Sequence, residues 1–138
     1  MSGDHGAALQ AGLVRHLRAD AGLRAQLGDP ARIWDQAPRK AAYPHLLIER
    51  SESRPVPAEG CGVEHRLSLR VLSTFGGVPE VRAVVAAVRQ ALEGVRLIEA
   101  GVRTVSLGVT FADVFPGPGV RPAFGVIRVR AVTEDTGA

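Results

Sequence analysis

Cys61 and His65 are the first residues whose types and spacing could do chemistry. A thiol four residues from an imidazole could be a nucleophile with its base, or half of a metal site. Cys61 is the single cysteine and sits between Gly60 and Gly62 at the end of SESRPVPAEGCG, a stretch whose composition makes a loop and not an electropositive niche. A metal would need two further ligands, and His5, His16 and His45 are scattered with no partner at ligand spacing. The glutamates (Glu49, Glu52, Glu59, Glu64, Glu80, Glu93, Glu99, Glu134) are equally dispersed, so no acid–base pair can be named. The glycine-rich segment 117–119 precedes a strand, so it lacks the helix amides that hold phosphate. Neither catalytic nor cofactor residues are expected.

The arginines give a second pattern. Arg66 and Arg70, and likewise Arg128 and Arg130, stand at spacings that keep each pair on one face of a strand. Interlaced with Glu64, they read as a solvated face in preference to a nucleic-acid surface, because stacking aromatics are few: Trp34, Tyr43 and four Phe. A formal charge of only +3, with bases and acids intermixed, agrees.

These residues need elements to position them. Leu9, Leu13 and Leu17, then Leu23 and Leu27, recur at helical spacing; Asp20 divides them into a helix to about Ala19 and a second over 21–27, stopped by Gly28, Asp29 and Pro30. Ile33 and Trp34 form a short strand, and YPHLLIER a further one. From Val63 to Ser73 the alternation is strict, with Val63, His65, Leu67, Leu69 and Val71 on the inner face. That phase turns His65 toward the core, where a histidine bonded to backbone is expected. Val81, Val84, Val85, Val88 and Leu92 define a long amphipathic helix, closed by Gly94.

Val105, Leu107, Val109 and Phe111 then alternate with polar residues as a strand, and 124–132 returns beside it as a hairpin. Between Val126 and Ile127 the apolar phase shifts, which implies either a bulge or cover on both faces.

The fold class is therefore α+β: an antiparallel β-sheet packed against an N-terminal helical segment and one long amphipathic helix. At 138 residues, 46% hydrophobic, the chain fits one domain over 1–138, with flexible ends at about 1–6 and 134–138. One cysteine, no signal-peptide pattern and no run of about 18 apolar residues predict a soluble intracellular product without membrane contact. Two Pro/Gly loops, 51–62 and 115–122, are the positive features, and loops of that length point to binding. The candidate interaction residues lie there and on the arginine face: Arg54, Val56, Glu59, Cys61, Phe115, Val120, Arg66 and Arg70.

Taken in order, DPARIWDQAP, YPHLLIE, GVEHRLSLRVLS, GG before a helix containing VAAVRQAL, and finally VRAVTED, the chain from about Leu9 to Glu134 resembles the tail terminator, or tail-completion, family of long-tailed phages, prophages and gene transfer agents. The gene transfer agent version is the nearest in composition. The resemblance implies a non-enzymatic ring, typically of six subunits, that sits on the tail tube, stops its polymerisation and meets the head-side connector, with DNA passing through the lumen. Localisation would be cytoplasmic during assembly and in the particle afterwards. A ring uses a heterologous interface, for which sheet edges are natural material. On that reading strands 63–73 and 122–132 build the ring body, and the 51–62 loop projects toward the tube or lumen and orders on docking. A head-side stopper of the same apparatus, or a small nucleic-acid-binding or regulatory module, are the alternatives.

Overall fold

The computed structural model describes residues 3–56, 62–119 and 121–137. Helix α1 (His5–Ala19) begins where the Asp4 carboxylate accepts the Ala7 N–H, and Asp20 then ends it and caps α2 (Ala21–Leu27) through the Leu23 N–H. Gly28, at φ 91°, makes the turn out of α2 in backbone space that favours glycine. The other elements are β1 (Ile33–Trp34), β2 (His45–Pro55), β3 (Val63–Ser73), α3 (Gly77–Leu92), β4 (Ile98–Glu99), β5 (Val102–Pro116) and β6 (Ala123–Asp135). They form one six-stranded sheet ordered β1-β2-β3-β6-β5-β4, antiparallel except for the short β1–β2 pair.

The α+β expectation holds. Leu9, Leu13, Leu17, Leu23 and Leu27 from the helical pair enter one core with Val81, Val84, Val85, Val88 and Leu92 of α3. Facing them are Leu67, Leu69 and Val71 of β3 and Ile127, Val129 and Ala131 of β6, all buried. Each such leucine contributes roughly 1.5–3 kcal/mol by leaving water. The helices thus cover one face of the sheet, and the opposite face carries Glu64, Arg66, Arg70, Arg128 and Arg130.

Several boundaries differ from expectation, each for a physical reason. Residues 51–55, a loop by composition, belong to β2: Ser51, Glu52, Ser53, Arg54 and Pro55 pair in register with Leu67, Arg66, His65, Glu64 and Val63. Composition had argued loop, but a partner strand supplies the backbone bonds, and Pro55 at the strand's end interrupts little. Phe115 and Pro116 likewise close β5, paired with Phe124 and Ala123. At the ends read as frayed, α1 begins at His5 and β6 continues to Asp135.

The bulges also fall elsewhere. β6 keeps a single inner phase, Gly125, Ile127, Val129 and Ala131, with Val126 half-covered on the other face. Strand β5 is the irregular one, with register shifts between Thr104 and Ser106 and between Val109 and Phe111. Leu107 and Val109 stay inward, but Val105 and Phe111, expected on the same face as them, turn out and stand 46% and 47% exposed.

Candidate functional site

Three features arise from this arrangement: two open sheet edges, a charged outer face and a buried histidine. β1 covers β2 only at Leu46 and Leu47, leaving the edge from Ile48 to Pro55 without a strand among the described residues. β4 covers β5 at Val102 and Arg103, and the Leu97 carbonyl takes the Thr104 N–H at 2.9 Å, leaving the edge from Val105 to Pro116 likewise. Long unpaired edges present rows of free N–H and C=O groups, and proteins tolerate them where another chain will pair. Strands 63–73 and 122–132, expected to form the ring body, lie at the centre of the sheet and have no edge to offer.

On the outer face, antiparallel register places Arg54, Glu64 and Val132 in one row and Glu52, Arg66 and Arg130 in the next. Glu64 is the hub. Its carboxylate accepts from Arg130 Nε at 2.6 Å, with Arg54 and Arg66 each at 3.8 Å. The Arg130 hydrogen bond, aided by the charges of Arg130, Arg66 and Arg54, holds the Glu64 carboxyl below its ordinary range against the opposing effect of burial. Further along, Arg128 lies 5.3 Å over the Phe111 ring.

The candidate residues do not form one site. Arg54 and Arg66 converge on Glu64, whereas Arg70 and Phe115 stand at the opposite end of the sheet around Phe124. Arg70 also reaches Glu49 at 3.3 Å. Val56 follows β2, its N–H donating to the Gly62 carbonyl at 2.9 Å. Glu59, Cys61 and Val120 lie outside the described residues.

His65 faces the core as its phase requires, with no exposed surface. Its partners are hydroxyls, not the backbone expected. Its Nδ1 is 2.8 Å from Ser53 Oγ and its Nε2 2.7 Å from Thr133 Oγ1; Thr133 Oγ1 is also 2.7 Å from His5 Nδ1, and His5 Nε2 is 3.1 Å from Asp135. One proton order satisfies the whole chain. His5 Nε2–H donates to the carboxylate, Thr133 O–H to His5 Nδ1, His65 Nε2–H to Thr133, and Ser53 O–H to His65 Nδ1. Ser53, Thr133, His5 and Asp135 were invisible as a set, because nothing in the sequence relates residues so far apart; the inward phase of His65 was the one available signal.

Burial, and secondarily electrostatic repulsion from the nearby His5 ring, holds the His65 imidazole below its ordinary value, against a smaller opposing pull from Asp4. The unfolded chain therefore takes up a proton near the ordinary histidine value, about pH 6.5, that the folded chain refuses. Stability is complete above that pH and falls as pH drops below it, by at most about 1.4 kcal/mol per pH unit for one proton. Thermal melts between pH 7.5 and 5.5 should show a loss of several degrees in the parent and a smaller one in His65→Gln. Equal losses in both would remove His65 from the account.

A family model for tail completion protein gp17 matches residues 11–134. Among solved structures, a chain from the virion of a native gene transfer agent particle aligns with a TM-score of 0.82 at 26% identity, covering 93% of this chain and 96% of that chain. No curated protein matches. Among the described residues no helix is long and apolar enough to cross a membrane. With the match extending over nearly its whole length, the chain belongs to the tail completion protein gp17 family, structural components of phage-type tails.

Proposed function

We propose that the chain closes head to tail into a ring of the six-subunit kind, sits at the head-proximal end of a tail tube, ends tube growth and joins the tail to the head-side connector. The two open edges carry this reading. β2 and β5 lie on opposite sides of the sheet and run in opposite directions. A copy rotated about an axis along the strands therefore brings its β2 antiparallel beside this β5, and the alternation β2, β3, β6, β5 continues round the ring. Each copy uses one edge of each kind, so a closed ring leaves neither exposed.

In that ring the helices lie outside and the arginine face lines the lumen, where DNA passes. Glu64 neutralises part of that face, so contacts with phosphate stay weak and sequence-independent. On this reading the β2–β3 end of the sheet, at Pro55 and Val63, faces the tube; the loop expected to project there falls on residues 57–61, outside the described residues. Native mass spectrometry of the purified chain should give a closed ring, and added to polymerising tubes it should occupy one end and arrest growth. A chain that stays monomeric, or binds portal-side assemblies and never tube ends, would make the stopper reading the better one.

A further inference from the structure

Every aromatic residue except Phe111 sits at one end of the sheet, the end where β2 starts and β3 finishes. Antiparallel register puts His45, Leu72, Phe124 and Phe115 in one row across that end. Tyr43 lies 4.8 Å and Trp34 5.3 Å from the His45 ring, and Phe115 lies 5.8 Å from Phe124. Phe75 follows β3 in the turn to α3 and is 78% exposed, the most exposed large apolar side chain among the described residues.

The turn that carries Phe75 is braced. Ser73, itself buried, donates to Glu80 of α3 at 2.7 Å and accepts the Gly77 N–H at 3.2 Å. Gly77 takes φ 66°, where a side chain would be strained. An aromatic ring held outward on a fixed turn loses little freedom when it binds, which is the character of an interface anchor. Arg121 stands 5.7 Å over the Phe75 ring and has no carboxylate partner among the described residues, while the Glu80 carboxylate beside the turn is engaged by Ser73.

We infer that this aromatic end is the docking face for the head-side connector, and that the connector offers it an apolar socket rimmed by carboxylates. The inference rests on the ring reading. There the two edges are consumed laterally and the β2–β3 end faces the tube, so the aromatic end is left for the axial neighbour on the head side. An exposed ring with an unpaired arginine over it, beside Phe124 with Arg70 on its face, fits an acidic protein surface.

The test uses the full chain with Phe75→Asp, Phe75→Leu and Arg121→Glu, read for ring formation by native mass spectrometry, for arrest of tube growth, and for joining of capped tails to DNA-filled heads counted by electron microscopy. Ring formation and arrest should be unchanged in all three. Joining should fall by at least about tenfold in Phe75→Asp and Arg121→Glu and be largely kept in Phe75→Leu. Unchanged joining in Phe75→Asp overturns the inference. So does loss of the ring, which would make Phe75 an intersubunit residue, or loss of arrest with joining kept, which would put the tube at this end. Failure of the parent chain to form a ring or arrest tubes would instead defeat the underlying function.

Discussion

A chain carrying Val105→Lys and Phe111→Lys should remain monomeric under conditions where the parent forms rings, and should leave tube growth unchecked. Both residues sit on β5, whose edge is unpaired beyond Thr104 among the described residues, and both are turned outward by the register shifts that distinguish this strand. Pairing with β2 of the next copy would bring its outward residues Arg50, Glu52 and Arg54 alongside them, so two lysines would replace an apolar contact there with charge beside a strand that already carries two arginines. Two anchors lost at one interface weaken association by roughly a hundredfold or more, repeated at every contact in the ring. The fold should survive, since exposed substitutions cost about 0.5 kcal/mol or less, with a further 0.5–1 kcal/mol for the Arg128–Phe111 stacking. Sedimentation velocity gives the assembly state and far-UV circular dichroism the fold. A folded double variant that still sediments as a ring would show that β5 is not the interface.

The features behind that prediction were only half legible in the sequence. Local periodicity was enough for α2, α3, β3 and the body of α1, because each buries a regular stripe and Asp20 and Gly94 mark ends by their own chemistry; the start of α1 at the Asp4 cap lies in the stretch expected to be flexible. β5 defeated periodicity. A strict alternation from Val105 to Phe111 describes an unbroken strand, whereas the chain spends two residues on bulges and so exposes the first and last of those side chains. Bulges come from the geometry of pairing with β6, which no window on β5 contains.

Similarly, Ser51 to Pro55 read as loop because strand propensity is judged locally, while their place in β2 is fixed by β3 across a hairpin. The candidate residues fared according to the same division. Arg66 and Arg70 were placed on the correct face by phase, but Glu64 as the hub, the Ser53–His65–Thr133–His5–Asp135 chain and the aromatic end all depend on strands meeting across the sheet.

Gly125→Leu should cost about 3 kcal/mol, roughly 10 °C in Tm for a chain of this size. Gly125 lies on β6 between Val71 of β3 and Val114 of β5, and its backbone is not in the left-handed region, so the need for glycine there is one of space. A Cβ at this position would stand 2.7 Å from Val81 Cγ1, 3.4 Å from Val85 Cγ2 and 3.5 Å from Val71 Cβ. The first half of α3 therefore rests directly on the β6 backbone, and any larger residue must lift the helix off the sheet. Gly125→Ala should be milder, because only the Val81 methyl has to move. Val81→Ala makes room for that methyl, so the combination of Gly125→Ala with Val81→Ala should be more stable than the sum of the two single losses, by about 0.5 kcal/mol or more in urea titrations. Strict additivity would mean that Val81 is not what the missing side chain accommodates. The same helix leans on β5, where Val85 and Arg82 border a cleft with Ala112 and Val114. Lifting α3 should therefore loosen the strand that carries the open edge, and Gly125→Leu should weaken ring formation at temperatures where the chain is still folded.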